Sequence, residues 1–241
     1  MITPDYQDND ITLYKADCLE VLSQRDMMNS IDLVLTDPPY LITSRGNSGD
    51  TGGMLNTEAS RSGKIFKHNE LKLENFLFEL YNTVKEGSHC YLFTNNKNLE
   101  EYLTAIRKQG YVIYKTLIWV KNNKITNQYY MDSHEYIIFF RKGYAKKINN
   151  CGTSSVLSYN NPTNKFHPTE KPVDLLKTLI LNSTNEGDTV LDFTMGSGST
   201  GVACKETGRK FIGIEIDDEF YYTAKQRITN TNKNQSLEDL I

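Results

Sequence analysis

Asp37-Pro38-Pro39-Tyr40 is a stretch whose residue types could do chemistry together. Pro38 and Pro39 cannot donate to a sheet ladder, and their rings fix φ near ~−65°, so the backbone takes one rigid shape here. That rigidity sets where Asp37 and Tyr40 point and leaves carbonyls with no partner on the chain. A carboxylate, free carbonyls and an aromatic face at the end of a strand can grip a flat ring that carries an amino group. The same four residues also describe a plain Pro-Pro turn with an aspartate cap. A second constellation separates the two possibilities.

Gly196-Ser197-Gly198-Ser199-Thr200-Gly201 fits G-x-G-x-x-G, preceded by the strand-like Thr189-Val190-Leu191-Asp192-Phe193. Glycines there allow a tight turn and let backbone N–H groups approach a ligand. Glu215 ends the next apolar run, nineteen residues after Gly196. In nucleotide-binding sheets an acid so placed takes the hydroxyls of a ribose, so the expected ligand contains an adenosine-like sugar. A dinucleotide oxidoreductase would place this unit near its start and need a substrate domain, for which no room is left. A methyltransferase needs a cosubstrate pocket beside an acceptor pocket, and the Asp37 turn supplies the second. A nucleotide-binding module without chemistry is the non-enzyme alternative, against which Asp37 and Tyr40 together count.

The elements that must position these residues follow from periodicity. Strand patterns fall at residues 11–15, 31–36, 90–94, 112–120, 135–141, 189–193 and 211–216. Helical patterns fall at 19–24, 71–84, 99–109, 173–182, 199–207 and 218–228. Such alternation predicts an α/β fold, a doubly wound, mainly parallel seven-stranded sheet. The two consecutive strands at 112–141 predict an antiparallel hairpin at one edge. One domain, 1–241, is expected. Residues 41–67 hold five glycines among Ser, Asn and Thr and predict a mobile loop, ordered when substrate binds. Residues 143–166 read as loop.

Composition bounds the partners. Hydrophobic content of 38% and charged content of 24% describe an ordinary globular chain. No apolar run reaches membrane-spanning length, and the first residues lack the pattern of a signal peptide, so a cytoplasmic protein with no membrane partner is expected. Cys18, Cys90, Cys151 and Cys204 are widely spaced and read as reduced, buried thiols; His68, His89, His134 and His167 are dispersed, so no metal site is expected. His134 and Glu135 open a strand and read as structural. The net charge of −3 hides nine Lys/Arg between Ala105 and Asn150, a basic region that could steer a polyanion.

Taken together, Asp37-Pro38-Pro39-Tyr40 and Asp192-Phe193-x-x-Gly196-Ser197-Gly198-Ser199-Thr200 resemble the catalytic and cofactor motifs of the DNA amino-methyltransferases that modify adenine N6 or cytosine N4. The catalytic motif comes first and the glycine motif last, as in the β group of that family. His167-Pro168-Thr169-Glu170-Lys171-Pro172 resembles the segment that precedes the group's glycine motif. The resemblance spans roughly residues 11–228 and implies S-adenosyl-L-methionine as cofactor and DNA, double- or single-stranded, as partner. It implies that Gly196, Ser197 and Gly198 line the methionine part of the cofactor, with Thr169 and Lys171 near its carboxylate and Phe193 and Thr200 in the same site. Glu215 would hold the ribose and Asp17 would face the cofactor's adenine, while also capping the helix that begins near Leu19. Asp37 and the Pro38 carbonyl, in the turn completed by Pro39, would accept hydrogen bonds from the target amine, and Tyr40 would stack on the base. Lys121, Lys124, Arg141 and Lys142 are the DNA-contact candidates. The resemblance also implies a permuted motif order, target recognition in 143–166 and a homodimer as one assembly. Asp at the first position of the turn points to adenine over cytosine.

Overall fold

The computed structural model describes residues 2–39, 71–125, 129–144, 146–163 and 170–232, with only the backbone for 123–125. The strands are β1 (Tyr6–Gln7), β2 (Ile11–Lys15), β3 (Ile31–Thr36), β4 (Val84–Thr94), β5 (Val112–Ile125), β6 (Asp132–Arg141), β7 (Val156–Ser158), β8 (Thr189–Asp192) and β9 (Lys210–Glu215). The helices are α1 (Cys18–Leu22), α2 (Leu73–Thr83), α3 (Leu99–Lys108), α4 (Val173–Ser183), α5 (Ser199–Glu206) and α6 (Asp218–Asn230). They build an α/β architecture around one sheet of order β1-β2-β9-β8-β3-β4-β6-β5-β7.

The five strands from β2 to β4 run parallel, and β6 reverses direction against both β4 and β5. β3 is buried on both faces, and its β-branched and leucine-rich run suits that place. On one face Leu33 and Leu35 join Leu175, Leu179, Ala203 and Tyr221 from α4, α5 and α6. On the other, Val34 packs with Val21, Phe76, Leu80 and Ile106 from α1, α2 and α3. The alternating side chains of one central strand therefore serve two helical layers.

The sheet has nine strands, two more than the periodicity shows. β1 and β7 are two and three residues long, too short to carry an alternation signal. β7 falls inside residues 143–166, the segment expected to be loop, and runs beside β5, so the hairpin's outer strand is covered. The hairpin spans 112–141 as expected, but its strands are longer, Val112–Ile125 and Asp132–Arg141. α2 stops at Thr83 and β4 begins at once, six residues earlier than the strand expected at 90–94. Gly87 at φ 82° sits where the β3–β4 register shifts, the backbone freedom that such an irregularity requires. Cys151 is exposed, whereas Cys18, Cys90 and Cys204 are buried as expected. The loop at 41–67 lies outside the described residues.

Gly201 lies in the first turns of α5, where the helix presses on its neighbours. A Cβ there would stand 2.4 Å from Ile228 Cδ1 and 2.8 Å from Phe211 Cε1. Gly201→Ala would gain ~1 kcal/mol of helix propensity. Overpacking costs about 1–3 kcal/mol and more than cancels it where both neighbours are buried. A lower midpoint in urea unfolding, at unchanged slope, is the expected result. A midpoint equal to or above that of the parent chain would show that α6 yields freely.

Candidate active site

β3 and β8 lie side by side, with Leu33 opposite Val190 and Val34 opposite Leu191. Beyond β3 the sheet continues to β4, and beyond β8 to β9. The chain therefore leaves this point in opposite directions, which opens a crevice at the carboxyl ends of the two strands. The Asp37 turn emerges from β3 and the glycine turn from β8, so the two motifs share one edge. Hydroxyls join them. Thr36 Oγ1 lies 2.8 Å from Thr194 Oγ1, and Thr194 Oγ1 donates to the Asp37 carbonyl at 3.3 Å. Thr200 Oγ1 donates to Asp192 Oδ2 at 2.6 Å, and Thr194 N to Asp192 Oδ1 at 3.3 Å. Burial pushes the Asp192 carboxyl up to about 6 despite these donors.

Asp37 stands in a line of four charges. Its Oδ2 pairs with Lys171 Nζ, whose side chain is 7% exposed. Lys171 Nζ is 3.5 Å from Glu135 Oε2, and Glu135 Oε1 pairs with Lys121 Nζ. The 3.5 Å approach is an ion pair without hydrogen-bond geometry, so Glu135 Oε2 has no hydrogen-bond partner among the described residues. Asp37 Oδ1 is also buried with no hydrogen-bond partner among the described residues. The ring of Phe93 faces Lys171 Nζ at 5.1 Å, and the ring of Trp119 faces Lys121 Nζ at 5.3 Å. Burial raises the Asp37 carboxyl above the usual range, with Glu135 adding to it and outweighing the pull of Lys171. Burial acts the same way on Glu135, but Lys171 and Lys121 overcome it and hold that carboxyl low. Lys171 is depressed by burial and raised more by Asp37 and Glu135, so its ammonium persists.

On the other side of the crevice, Glu215 ends β9 next to β2 and β8. Its Oε2 accepts from Gly196 N at 2.9 Å, and its Oε1 from Ile216 N and Asp217 N at 3.0 and 2.9 Å. Burial raises its pKa, and those three N–H groups offset part of the rise. A carboxylate offers about four lone-pair sites, so room for a further donor remains. Asp17, after β2, caps α1 by accepting from Leu19 N at 2.8 Å with one oxygen. Gly196 and Gly198 have φ of 52° and 82°, and a Cβ on Gly198 would sit 2.8 Å from Ala224 Cβ. Two acids on neighbouring strand ends beside a left-handed glycine turn form a donor and acceptor set that fits a nucleoside with vicinal hydroxyls and an amino group.

Several expected side chains face elsewhere. Phe193 is 1% exposed and packs on Phe76 at 5.1 Å, so its ring belongs to the core. Thr200 is spent on Asp192. Ser197 accepts from Arg227 Nη1 through Oγ at 2.9 Å and through its carbonyl at 2.7 Å. Arg227 also pairs with Glu170 at 2.7 Å, which ties the segment before α4 to the glycine turn. Lys171, expected near the methionine carboxylate, pairs with Asp37. Tyr40 and Thr169 lie outside the described residues. Among the DNA-contact candidates, Lys121 is turned inward to Glu135, and the side chain of Lys124 lies outside the described ones. Arg141 ends β6 opposite His89, roughly 20 Å from Glu135 along an antiparallel strand. Lys142 follows it and donates to the carbonyls of Tyr81 and Val84 at the end of α2, at 2.7 and 3.0 Å. Both are therefore at the far end of the sheet, because β6 runs away from the crevice.

Glu135, Thr194 and Arg227 were not marked by the sequence. Each is a lone polar residue at a strand end, in a turn or on a helix face, with its partner far away in the chain. Nothing local distinguishes it.

Comparison with known proteins places this geometry in a family. The chain is 28% identical to the Type II methyltransferase M2.DpnII of Streptococcus pneumoniae, over 97% of this chain and 95% of that one. Its structure is similar to that of the M1.HpyAVI–SAM complex, with a TM-score of 0.70 and 27% identity over 90% of this chain and 99% of that one. The fold also matches the PvuII cytosine-N4-specific DNA methyltransferase, with a TM-score of 0.75 and 20% identity over 99% of this chain and 93% of that one. The model of the N6/N4 DNA methylase family matches residues 31–226, which includes both turns and the acid between them and α6. The chain belongs to the N6/N4 DNA methylase family.

Proposed function

We propose that this protein transfers a methyl group from S-adenosylmethionine to N6 of adenine in DNA, directly and on a base turned out of the helical stack. The observation that carries the proposal is Asp37 itself. It sits in a rigid turn at the switch of the sheet, with one oxygen held by Lys171 and the other buried and open to a donor.

An exocyclic amine on a base is a weak nucleophile because its lone pair is shared with the ring. Hydrogen bonds from its N–H groups to Asp37 Oδ1 and to the Pro38 carbonyl favour a tetrahedral nitrogen whose lone pair is free to react. The bound cofactor supplies an electrophilic methyl group on a sulfonium. Glu215 and Asp17, at neighbouring strand ends, would hold the nucleoside end of that cofactor, and the backbone of Gly196–Gly198 would line its methionine part. What the protein adds is alignment and a preorganised acceptor in a water-poor site. The amino group is unreachable inside a duplex, so the base enters extruded or from a single strand.

The DNA would lie across the crevice end of the sheet. There β5 and β6 run beyond their last contact with β4, at Tyr136 opposite Thr94. Tyr129, Tyr130 and Met131 are 83%, 87% and 53% exposed on that overhang, and aromatic faces suit unstacked bases. This replaces Arg141 and Lys142 as the candidate contact surface. Methylation of cytosine N4 is the second reading, favoured by the fold shared with the PvuII enzyme. Adenine is preferred because this turn begins with Asp, as in the adenine enzymes it resembles, whereas the cytosine enzymes usually begin it with Ser.

Asp37→Ala should abolish methyl transfer while cofactor affinity stays within a few-fold. A more than hundred-fold loss of affinity, measured by calorimetry, with activity partly retained would move Asp37 to the cofactor side. Glu215→Ala should do the reverse and weaken cofactor binding by roughly 1–3 kcal/mol, the range for a lost charged acceptor; an unchanged dissociation constant would place the ribose elsewhere. For the base, genomic DNA incubated with labelled cofactor and digested to nucleosides should carry label in N6-methyladenine. Label in N4-methylcytosine alone would establish the second reading.

A further inference from the structure

The line of charges beside Asp37 does more than neutralise itself. We propose that Lys171 and Glu135 are positioning residues that act through Asp37: Lys171 keeps the carboxylate ionised and turned so that Oδ1 faces the target amine, and Glu135 limits how far Lys171 withdraws its charge. The proposal rests on the reading of Asp37 as the acceptor for that amine.

Asp37 needs both neighbours for opposite reasons. A carboxyl as buried as this one takes up a proton unless a cation faces it, and a protonated carboxyl is a poor acceptor. Lys171 supplies the cation. A lysine paired with Asp37 alone would pull charge toward Oδ2 and leave Oδ1 a weaker partner for the amine. Glu135 Oε2, 3.5 Å from the same ammonium and without a hydrogen-bond partner among the described residues, draws Lys171 the other way. Lys121 fixes Glu135 through its second oxygen, and Phe93 backs Lys171 from the side. Asp37, Glu135, Lys121 and Lys171 thus form two positive and two negative groups drawn from β3, β6, β5 and the segment before α4. Two further groups face Asp37. The Asp37 charge adds to the rise of the buried Asp192 carboxyl on β8, and the Tyr102 phenol on α3 feels the same charge. Among the described residues neither forms an ion pair or side-chain hydrogen bond with the line, so Lys171 and Glu135 are the groups through which the balance is set. An ion-pair cluster kept only for packing would lower stability when broken but would not tune Asp37.

The test uses the full chain, with kcat measured against pH at saturating DNA and cofactor. Lys171→Met should move the acid limb of the profile up by about 1–3 pH units, the effect of a single adjacent cation on an aspartate. Glu135→Gln should move it down, by about one unit, because the negative neighbour is gone and Lys171 remains. Lys171→Arg should return the limb toward that of the parent. Cofactor dissociation constants should stay within a few-fold throughout. A carboxyl NMR titration of Asp37 in the cofactor-free protein should show the same opposite displacements, and it reads them even in an inactive variant. Limbs and titrations that stay in place, or that move in one direction for both variants, overturn the proposal. So does a more than tenfold loss of cofactor affinity in Lys171→Met with no displacement, which would return Lys171 to the cofactor. A parent chain that methylates no DNA overturns the function reading itself, and the NMR displacements then decide the electrostatic part alone.

Discussion

The parallel register between β3 and β8 is the constraint on which the site depends. It joins strands from opposite thirds of the chain and brings Asp37 and the glycine turn to one edge. A slip of one residue would turn every side chain of β3 to the other face. Leu33 and Leu35 would then meet the helices that now hold Val34, so two buried layers defend the register. The hydroxyl contacts of Thr36 and Thr194 refine what the register makes approximate. They fix the two turns against each other at hydrogen-bond distance, where a hydrophobic contact alone would allow sliding.

How much was legible in the sequence depended on distance along the chain. Asp37, Pro38 and Pro39 could be found because their chemistry is local: a strand, two prolines and an acid. The glycine turn and Glu215 could be found because their spacing is set by one strand–helix–strand unit. β1 and β7 could not, since two or three residues carry no period and form only by pairing with a neighbour already in place. Glu135 looked like an ordinary strand opener because its partners, Lys121 and Lys171, are positioned by a hairpin and by a separate segment. The pairing of Lys171 with Asp37 was not legible either, and Arg141 and Lys142 lie at the end of the sheet away from the crevice. Charge clustering in sequence says nothing of strand direction, and β6 runs backward.

The glycine turn serves packing as much as ligand contact. Gly198 and Gly201 admit Ala224, Ile228 and Phe211 at distances no side chain would allow. Ser197 and Thr200 turn inward to Arg227 and Asp192, and so stiffen the loop from behind. Such a loop presents mainly backbone to a ligand, which is the arrangement that costs least reorganisation on binding.

The hydrogen bond that Glu215 accepts from Gly196, and the bridge from Glu170 to Arg227, close the site from the last quarter of the polypeptide. The Asp37 turn is made early. During synthesis that turn therefore leaves the ribosome long before the strands and helix that surround it, and β3 waits with one edge unpaired. Contacts of such sequence separation are slow to form and leave sticky edges exposed in the meantime. A nascent or truncated chain that ends before α6 holds the Asp37 turn but lacks the Arg227 that ties Glu170 to the glycine turn. The crevice is thus assembled only after α6 has been made.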